Sequence, residues 1–401
     1  MRGAVHDCHR NYVLLLALVP GRTSAMSYLR RIIALAAFAF TLAPPVGWSG
    51  PANATPDEVG GPSEPGTAPP PSTYWRTDGQ AAQSAECRAV LAEVRERLRN
   101  QATTTFMAVR GDQIVFSEGP IARPSLVRSV RKSLLAILYG QPVADGRVDL
   151  DATLAELGID DLGGLLPLER QARVRDLLAA RSGVYHPAAN PGDDAAGAPP
   201  RGSQAPGQYF LYNNWDFNVA GDIYEQRTQR NLYDAFAQEI ASPLGLEDFV
   251  RERHRRTGRL SRSTHLAYPF YLSARDMARI GELMMAEGQW QGRRIVPAGW
   301  TQLITRPVTP SAEMHPPSAV RRRMSYGLLW WIPELPDDSP LAGSYLAWGY
   351  FGQWILVIPK SGMVVVHKYD TDAREDEAHP ATVPVQNFLE QARMIAQAPC
   401  K

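Results

Sequence analysis

The sequence predicts a mixed α/β protein, an α+β sandwich in which an antiparallel sheet drawn from both chain ends is flanked by helices, with an all-helical domain inserted between. Three observations predict it. β-rich segments joined by tight turns occur early, near 103–117, and late, near 326–368. Helical periodicity fills most of the intervening chain. An amphipathic helix stands outside each strand group, each with one apolar stripe to bury.

Residues 1–54 read as an export signal behind an upstream extension. Met26 precedes Arg30-Arg31, an apolar run over 32–43, and Ala52-Asn53-Ala54, which fits a small-residue cleavage site. The run is too short to span a bilayer comfortably, so a membrane tether is expected only if the signal stays uncleaved. The mature chain is therefore expected outside the cytoplasm, periplasmic or extracellular. Residues 55–75 are rich in Pro, Gly, Ser and Thr and read as a disordered linker.

The first helix is expected over about 80–100, with Val90, Leu91, Val94 and Leu98 as its stripe. A hairpin comes next, Thr103–Val109 and Gln113–Ser117 about an Arg110-Gly111-Asp112 turn. Another helix opens at Ser129 and runs to about Val143. Asp149–Gly158 and Val174–Ala180 read as helical, with breaks at Gly163-Gly164 and Ser182-Gly183. The loop from His186 to Gly207 is long for a compact domain, and such loops usually border a site. Helical patterns return at Trp215–Arg227, Leu232–Ile240, Ser273–Glu287 and Pro297–Ile304. Strands are expected at Tyr326–Ile332, Tyr345–Trp348, Gln353–Ile358 and Met363–Lys368, the last two joined by Pro359-Lys360-Ser361-Gly362. The sheet domain is thus placed at 76–128 with 262–401, and the helical domain at 129–261.

Composition is that of an ordinary globular protein, 44% hydrophobic and 21% charged. The net charge of +1 gives no overall field for nucleic acid or an acidic polymer. The basic clusters Arg251–Arg262 and Arg321-Arg322-Arg323 read as solvated loops. Loss of Cys8 with the signal leaves Cys87 in the first helix and Cys400 at the end of the last, which in a monomer pair only with each other. The alternative is two separate buried thiols.

Only four lysines occur, at 132, 360, 368 and 401. A guanidinium cannot serve as a base, whereas a desolvated amine can. Lys132 lies three residues after Ser129, on the same helix face, the S-x-x-K spacing of acyl-transferring serine enzymes. A nucleophilic serine also needs proton transfer and an oxyanion hole. Tyr212-Asn213-Asn214 supplies a phenol, whose ionised form a nearby ammonium favours, with an amide two residues on. Trp348-Gly349-Tyr350-Phe351-Gly352-Gln353-Trp354 is a Gly-rich strand entry where a substrate approaches closely, with the Gln353 amide expected beside that of Ser129.

Ser129-Val130-Arg131-Lys132, Tyr212-Asn213-Asn214 and Tyr350-Phe351-Gly352, in this order, resemble the three motifs of the serine β-lactamase and penicillin-binding superfamily, in its class C and esterase branch. The resemblance runs over about 80–400 and includes Val148-Asp149-Leu150-Asp151, Arg181-Ser182-Gly183-Val184 and Pro243-Leu244-Gly245-Leu246. It implies an exported, cofactor-free and metal-independent serine hydrolase acting on a small ester or amide through an acyl-Ser129 intermediate. Lys132 and Tyr212 would share the proton transfer as a coupled pair, with either as the base. Asn214 would orient Lys132 or substrate, the Ser129 and Gln353 amides would bind the oxyanion, and Tyr350 with Phe351 would line the acyl pocket. One departure stands out: penicillin-recognising members usually carry Lys or His where this chain has Tyr350, which leans toward substrates lacking a carboxylate there. The alternatives are a non-catalytic cell-wall or peptide-binding protein on the same fold, and a true β-lactamase or D-Ala peptidase.

Overall fold

The computed structural model describes residues 74–77, 83–192, 194–371 and 383–400. The export signal and the linker up to residue 73 lie outside the described residues. The end of the expected linker does not: Trp75 is 5% exposed in the core, Tyr74 packs on Trp290, and Arg76 bridges to Gln113. Two aromatic rings at 74 and 75 carry too much apolar surface to stay in a solvated tether, and here they bury it.

A seven-stranded antiparallel sheet forms the centre. Its strands are β1 (Thr105–Arg110), β2 (Gln113–Glu118), β3 (Met324–Tyr326), β4 (Trp331–Pro333), β5 (Tyr345–Gly349), β6 (Gln353–Ile358) and β7 (Met363–Lys368), in the spatial order β2-β1-β7-β6-β5-β4-β3. The early hairpin thus joins the late strands through β1 and β7, with Phe106 opposite His367. That pairing builds one sheet from both chain ends, as the sequence predicts.

Period two assigns the two faces of the sheet to different helices. Helix α1 (Ala85–Arg99) begins at the N-cap Ser84, whose hydroxyl accepts from the Cys87 amide, and buries Cys87, Leu91, Val94 and Leu98. It packs beside the C-terminal helix α5 (Val385–Gln397), whose Phe388 stacks 4.7 Å from Trp354 and 6.0 Å from Phe106. The opposite face receives α4 (Ala274–Met285): a methyl group at Gly281 would collide with the Val364 side chain, so this helix sits almost in contact with the strands. A disulfide joins Cys87 to Cys400 with Cα atoms 5.1 Å apart, clamping the two outer helices.

Between the strand groups lie α2 (Val130–Leu138) and α3 (Asn214–Thr228), with irregular segments around them. Two sequence expectations are corrected. Asp149–Gly158 forms turns rather than helix, because Asp149, Thr153 and Glu156 spend their side chains on nearby backbone amides. The expected strand Tyr326–Ile332 is two antiparallel strands, β3 and β4, with a tight reversal at 327–330 in which Leu329 takes φ 62°.

Candidate active site

Ser129 sits at the N-cap of α2 and keeps its side chain out of the cap interaction, leaving the hydroxyl available. One turn on, Lys132 is 1% exposed, with its Nζ 2.9 Å from Ser129 Oγ and 2.5 Å from Tyr212 Oη. The amine also lies over the rings of Tyr212 and Phe217, at 4.2 and 4.4 Å from their centroids. The helical spacing delivers Ser129 and Lys132 together, and the fold brings in Tyr212 from 80 residues further along.

The start of α3 holds Tyr212 in place. Asn213 caps that helix by accepting from the Asp216 amide, and Asp216 in turn receives the Ser182 hydroxyl at 2.6 Å, tying the Arg181-Ser182-Gly183 turn to the helix start. Phe217, Tyr326 and Trp331 surround the phenol ring. Burial pushes the Tyr212 phenol well above its ordinary range, outweighing the Ser129 hydrogen bond and the charges of Arg131 and Arg322, which act the other way. The sequence leads one to expect that Lys132 favours the ionised phenol; desolvation of the anion acts against this and is the larger influence.

Asn214 opens α3, where its side-chain amide donates to the Pro191 carbonyl at 2.9 Å, anchoring the 186–207 loop beside Tyr212. The same loop contributes Asp194, whose amide donates to the Tyr212 carbonyl and whose carboxylate pairs with Arg322. Arg322, assigned to a solvated loop from sequence, instead lies over Trp331 in this aromatic wall.

The strand motif meets the nucleophile one step earlier than its sequence suggested. A methyl group at Gly349 would collide with the Val127 carbonyl and lie 3.2 Å from the Ser129 amide nitrogen, so Gly349 permits the hairpin to touch the nucleophile's backbone. Gly352, at φ 87°, faces His367 and Trp354 instead. The Gln353 side chain is fully buried and donates to the Tyr369 carbonyl, which leaves its main-chain amide as the group the oxyanion expectation concerns, across the ladder from Gly349. Tyr350 is 59% exposed and stacks on Phe351, while Trp348 closes the wall against Trp331. Gly349 is thus the hairpin residue that meets the Ser129 backbone, while the Phe351 ring lies beside the guanidinium of Arg128, next in sequence to the nucleophile. Sequence reading missed Gly349 because two glycines flank the turn and only the hairpin register decides which faces the helix.

A further cavity of about 480 Å³, between Arg175, Arg181 and Arg306 and an apolar wall of Leu150, Leu303 and Leu328, contains none of Ser129, Lys132, Tyr212, Asn214 and the 348–354 hairpin. Its position does not bear on the chemistry at Ser129.

Comparison with known proteins bears on the family and the fold. The Beta-lactamase family matches residues 99–382. Similar solved structures include a putative 6-aminohexanoate-dimer hydrolase from Bacillus anthracis, 22% identical with a TM-score of 0.55 over 75% of this chain and 81% of that one. Simvastatin synthase (LovD) from Aspergillus terreus superposes with a TM-score of 0.54 at 18% identity, over 78% and 98% of the two chains. A penicillin-binding protein homologue from Caulobacter crescentus gives 0.53 at 14% identity, over 78% and 98%. These likenesses speak for the fold. An uncharacterized protein of Alkalihalophilus pseudofirmus is 29% identical over 109 residues, 25% of this chain and only 30% of that relative's length. With the family matched across most of its length and the fold shared, the chain belongs to the Beta-lactamase family, within the serine β-lactamase and penicillin-binding superfamily.

Proposed function

We propose that this protein is an exported serine hydrolase that cleaves a small ester or amide through an acyl-Ser129 intermediate. The observation that carries the reading is the position of Lys132 Nζ, within hydrogen-bonding distance of both Ser129 Oγ and Tyr212 Oη. In the proposed cycle Lys132 takes the hydroxyl proton as Oγ bonds to the substrate carbonyl carbon. Lys132 Nζ donates to Tyr212 Oη, which holds the amine in line. Collapse of the tetrahedral adduct passes that proton to the leaving oxygen or nitrogen, and a water then repeats the sequence on the acyl-enzyme. The Ser129 amide and the hairpin backbone at Gly349 flank the developing oxyanion. The disulfide supports an oxidising compartment, periplasmic or extracellular.

Intact-mass analysis after treatment with a fluorophosphonate tests the reading. One adduct on Ser129, absent in Ser129→Ala, is expected together with loss of p-nitrophenyl ester turnover. An unlabelled wild-type chain, or a Ser129→Ala variant that keeps more than about a tenth of the activity, overturns it.

A further inference from the structure

The cavity of about 480 Å³ that stands apart from Ser129 has the size of a small-molecule site and combines an apolar wall with charge. One of its arginines, Arg181, is spent on the fold. Its Nε donates to the Gly207 carbonyl at 2.9 Å, one Nη to Thr309 Oγ1 at 2.9 Å and to Glu313 at 3.2 Å, and the other Nη to the Gln208 carbonyl at 3.2 Å. Those bonds tie the 207–208 turn to the 309–313 segment and hold two sides of the hollow in place. The wall opposite is apolar and partly wet: Leu328 is buried, but Leu303 and Val308 are 37% and 40% exposed. A hydrocarbon laid against them would remove that surface from water.

Charge selects the rest of the ligand. Arg173 and Arg175 share Asp151, at 3.3 and 2.5 Å, and Arg181 holds Glu313. Asp176 accepts from the Arg173 amide at 2.9 Å and feels the charges of Arg173 and Arg175. Four cations, Arg173, Arg175, Arg181 and Arg306, thus stand against three carboxylates, Asp151, Asp176 and Glu313, in and beside the cavity. Arg306 is the unmatched one: its guanidinium is exposed, with no ion pair or hydrogen bond among the described residues. Its main chain is fixed all the same. The Leu328 amide donates to the Ile304 carbonyl at 2.9 Å, the Val308 and Thr309 amides both donate to the Tyr326 carbonyl, and a methyl group at Gly327 would collide with the Ile304 and Arg306 carbonyls. A guanidinium fork suits a carboxylate. A second negative charge would meet Asp176 and Glu313, and a neutral ligand would leave Arg306 unanswered.

We propose that this cavity is a second, non-reacting ligand site for an aliphatic monocarboxylate, with the carboxylate on Arg306 and the chain against Leu303, Val308 and Leu328. The site is independent of the reading of Ser129.

Isothermal titration of the full chain with hexanoate, 1-hexanol and acetate tests it. Hexanoate is expected to bind with a Kd of about 1 mM or tighter, and each of the others at least about tenfold more weakly. Arg306→Gln, a change at an exposed side chain, should weaken hexanoate about tenfold and leave 1-hexanol unchanged. Leu303→Ser should weaken both about fivefold. Hexanoate should also raise the Tm of the wild type, and raise that of Arg306→Gln less. Hexanoate binding no tighter than acetate or 1-hexanol, or unchanged in either variant, overturns the proposal. So does competitive inhibition of ester turnover with a Ki equal to the Kd and the same in wild type and Arg306→Gln, which would place hexanoate in the Ser129 cleft. A chain that binds hexanoate through Arg306 and Leu303 but cleaves no ester keeps this site and removes the hydrolase reading alone.

Discussion

Lys132 and Tyr212, 80 positions apart in sequence, place their terminal atoms 2.5 Å from each other beneath the nucleophile. Burial raises the pKa of the phenol, and on the proposed reading the amine is the group that receives the Ser129 proton. Lys132→Arg keeps the charge and removes that capacity, so it should lose on the order of 10²-fold in kcat, as much as Lys132→Ala. Steady-state kinetics on an aryl ester checks this, and near-normal activity of the Arg variant would transfer the base role to Tyr212.

Gly349→Ala should act on chemistry rather than folding. Its added methyl meets two fixed backbone atoms, the Val127 carbonyl and the Ser129 amide, and pushes the hairpin off the nucleophile. Displacing an oxyanion donor costs roughly 10²-fold in kcat. Gly352→Ala, facing His367 and Trp354 and at positive φ, should instead lower Tm, with a stability cost of about 1–3 kcal/mol. Comparable kinetic losses in the two variants would contradict this division.

Both motifs that the helices carry were legible in the sequence, since Ser129 and Lys132 are joined by one helical turn and Tyr212 by the cap of the helix it precedes. The sheet was legible for a similar reason: β1, β2, β6 and β7 are local hairpin partners with strong alternation or apolar runs. What escaped depends on distant contacts. Arg322 reaches Trp331 only because β3 and β4 reverse at Leu329, and the rise in the Tyr212 pKa comes from burial that no local window reports. The turns at 149–158 were misread because their apolar spacing matches a helix while side chains compete for the backbone.

Asp161 should govern acid stability. Burial opposes its ionisation, but bonds from the Ser263 hydroxyl, the Thr264 amide, the Trp215 indole and the Leu162 amide outweigh it and hold its pKa at about 2. Its stabilisation is complete above the ordinary carboxylate value near 3.8 and is lost as pH falls through 2. Asp161→Asn should cost about 2 kcal/mol or more at pH 7, and the gap to wild type should narrow below pH 3 in denaturant titrations. A gap independent of pH would show that the charge is immaterial.

Cys400→Ser opens a covalent loop spanning 313 residues. The chain-entropy account gives up to about 5 kcal/mol for such a closure, so a clear drop in Tm is expected. Dithiothreitol should lower the wild type toward the variant and leave the variant unmoved. Equal Tm values for wild type and Cys400→Ser would mean the outer helices hold each other without the bond.

The pairing of β1 with β7 also fixes an order of events. The early hairpin has no neighbour for its inner edge until residue 368 has been made, so a ribosome must release most of the chain before the central ladder can close. Contacts of such long sequence separation form slowly, and an exposed hairpin edge invites wrong partners meanwhile. Synthesis therefore hands over a polypeptide whose main sheet is still open and whose first hairpin waits for the last strand.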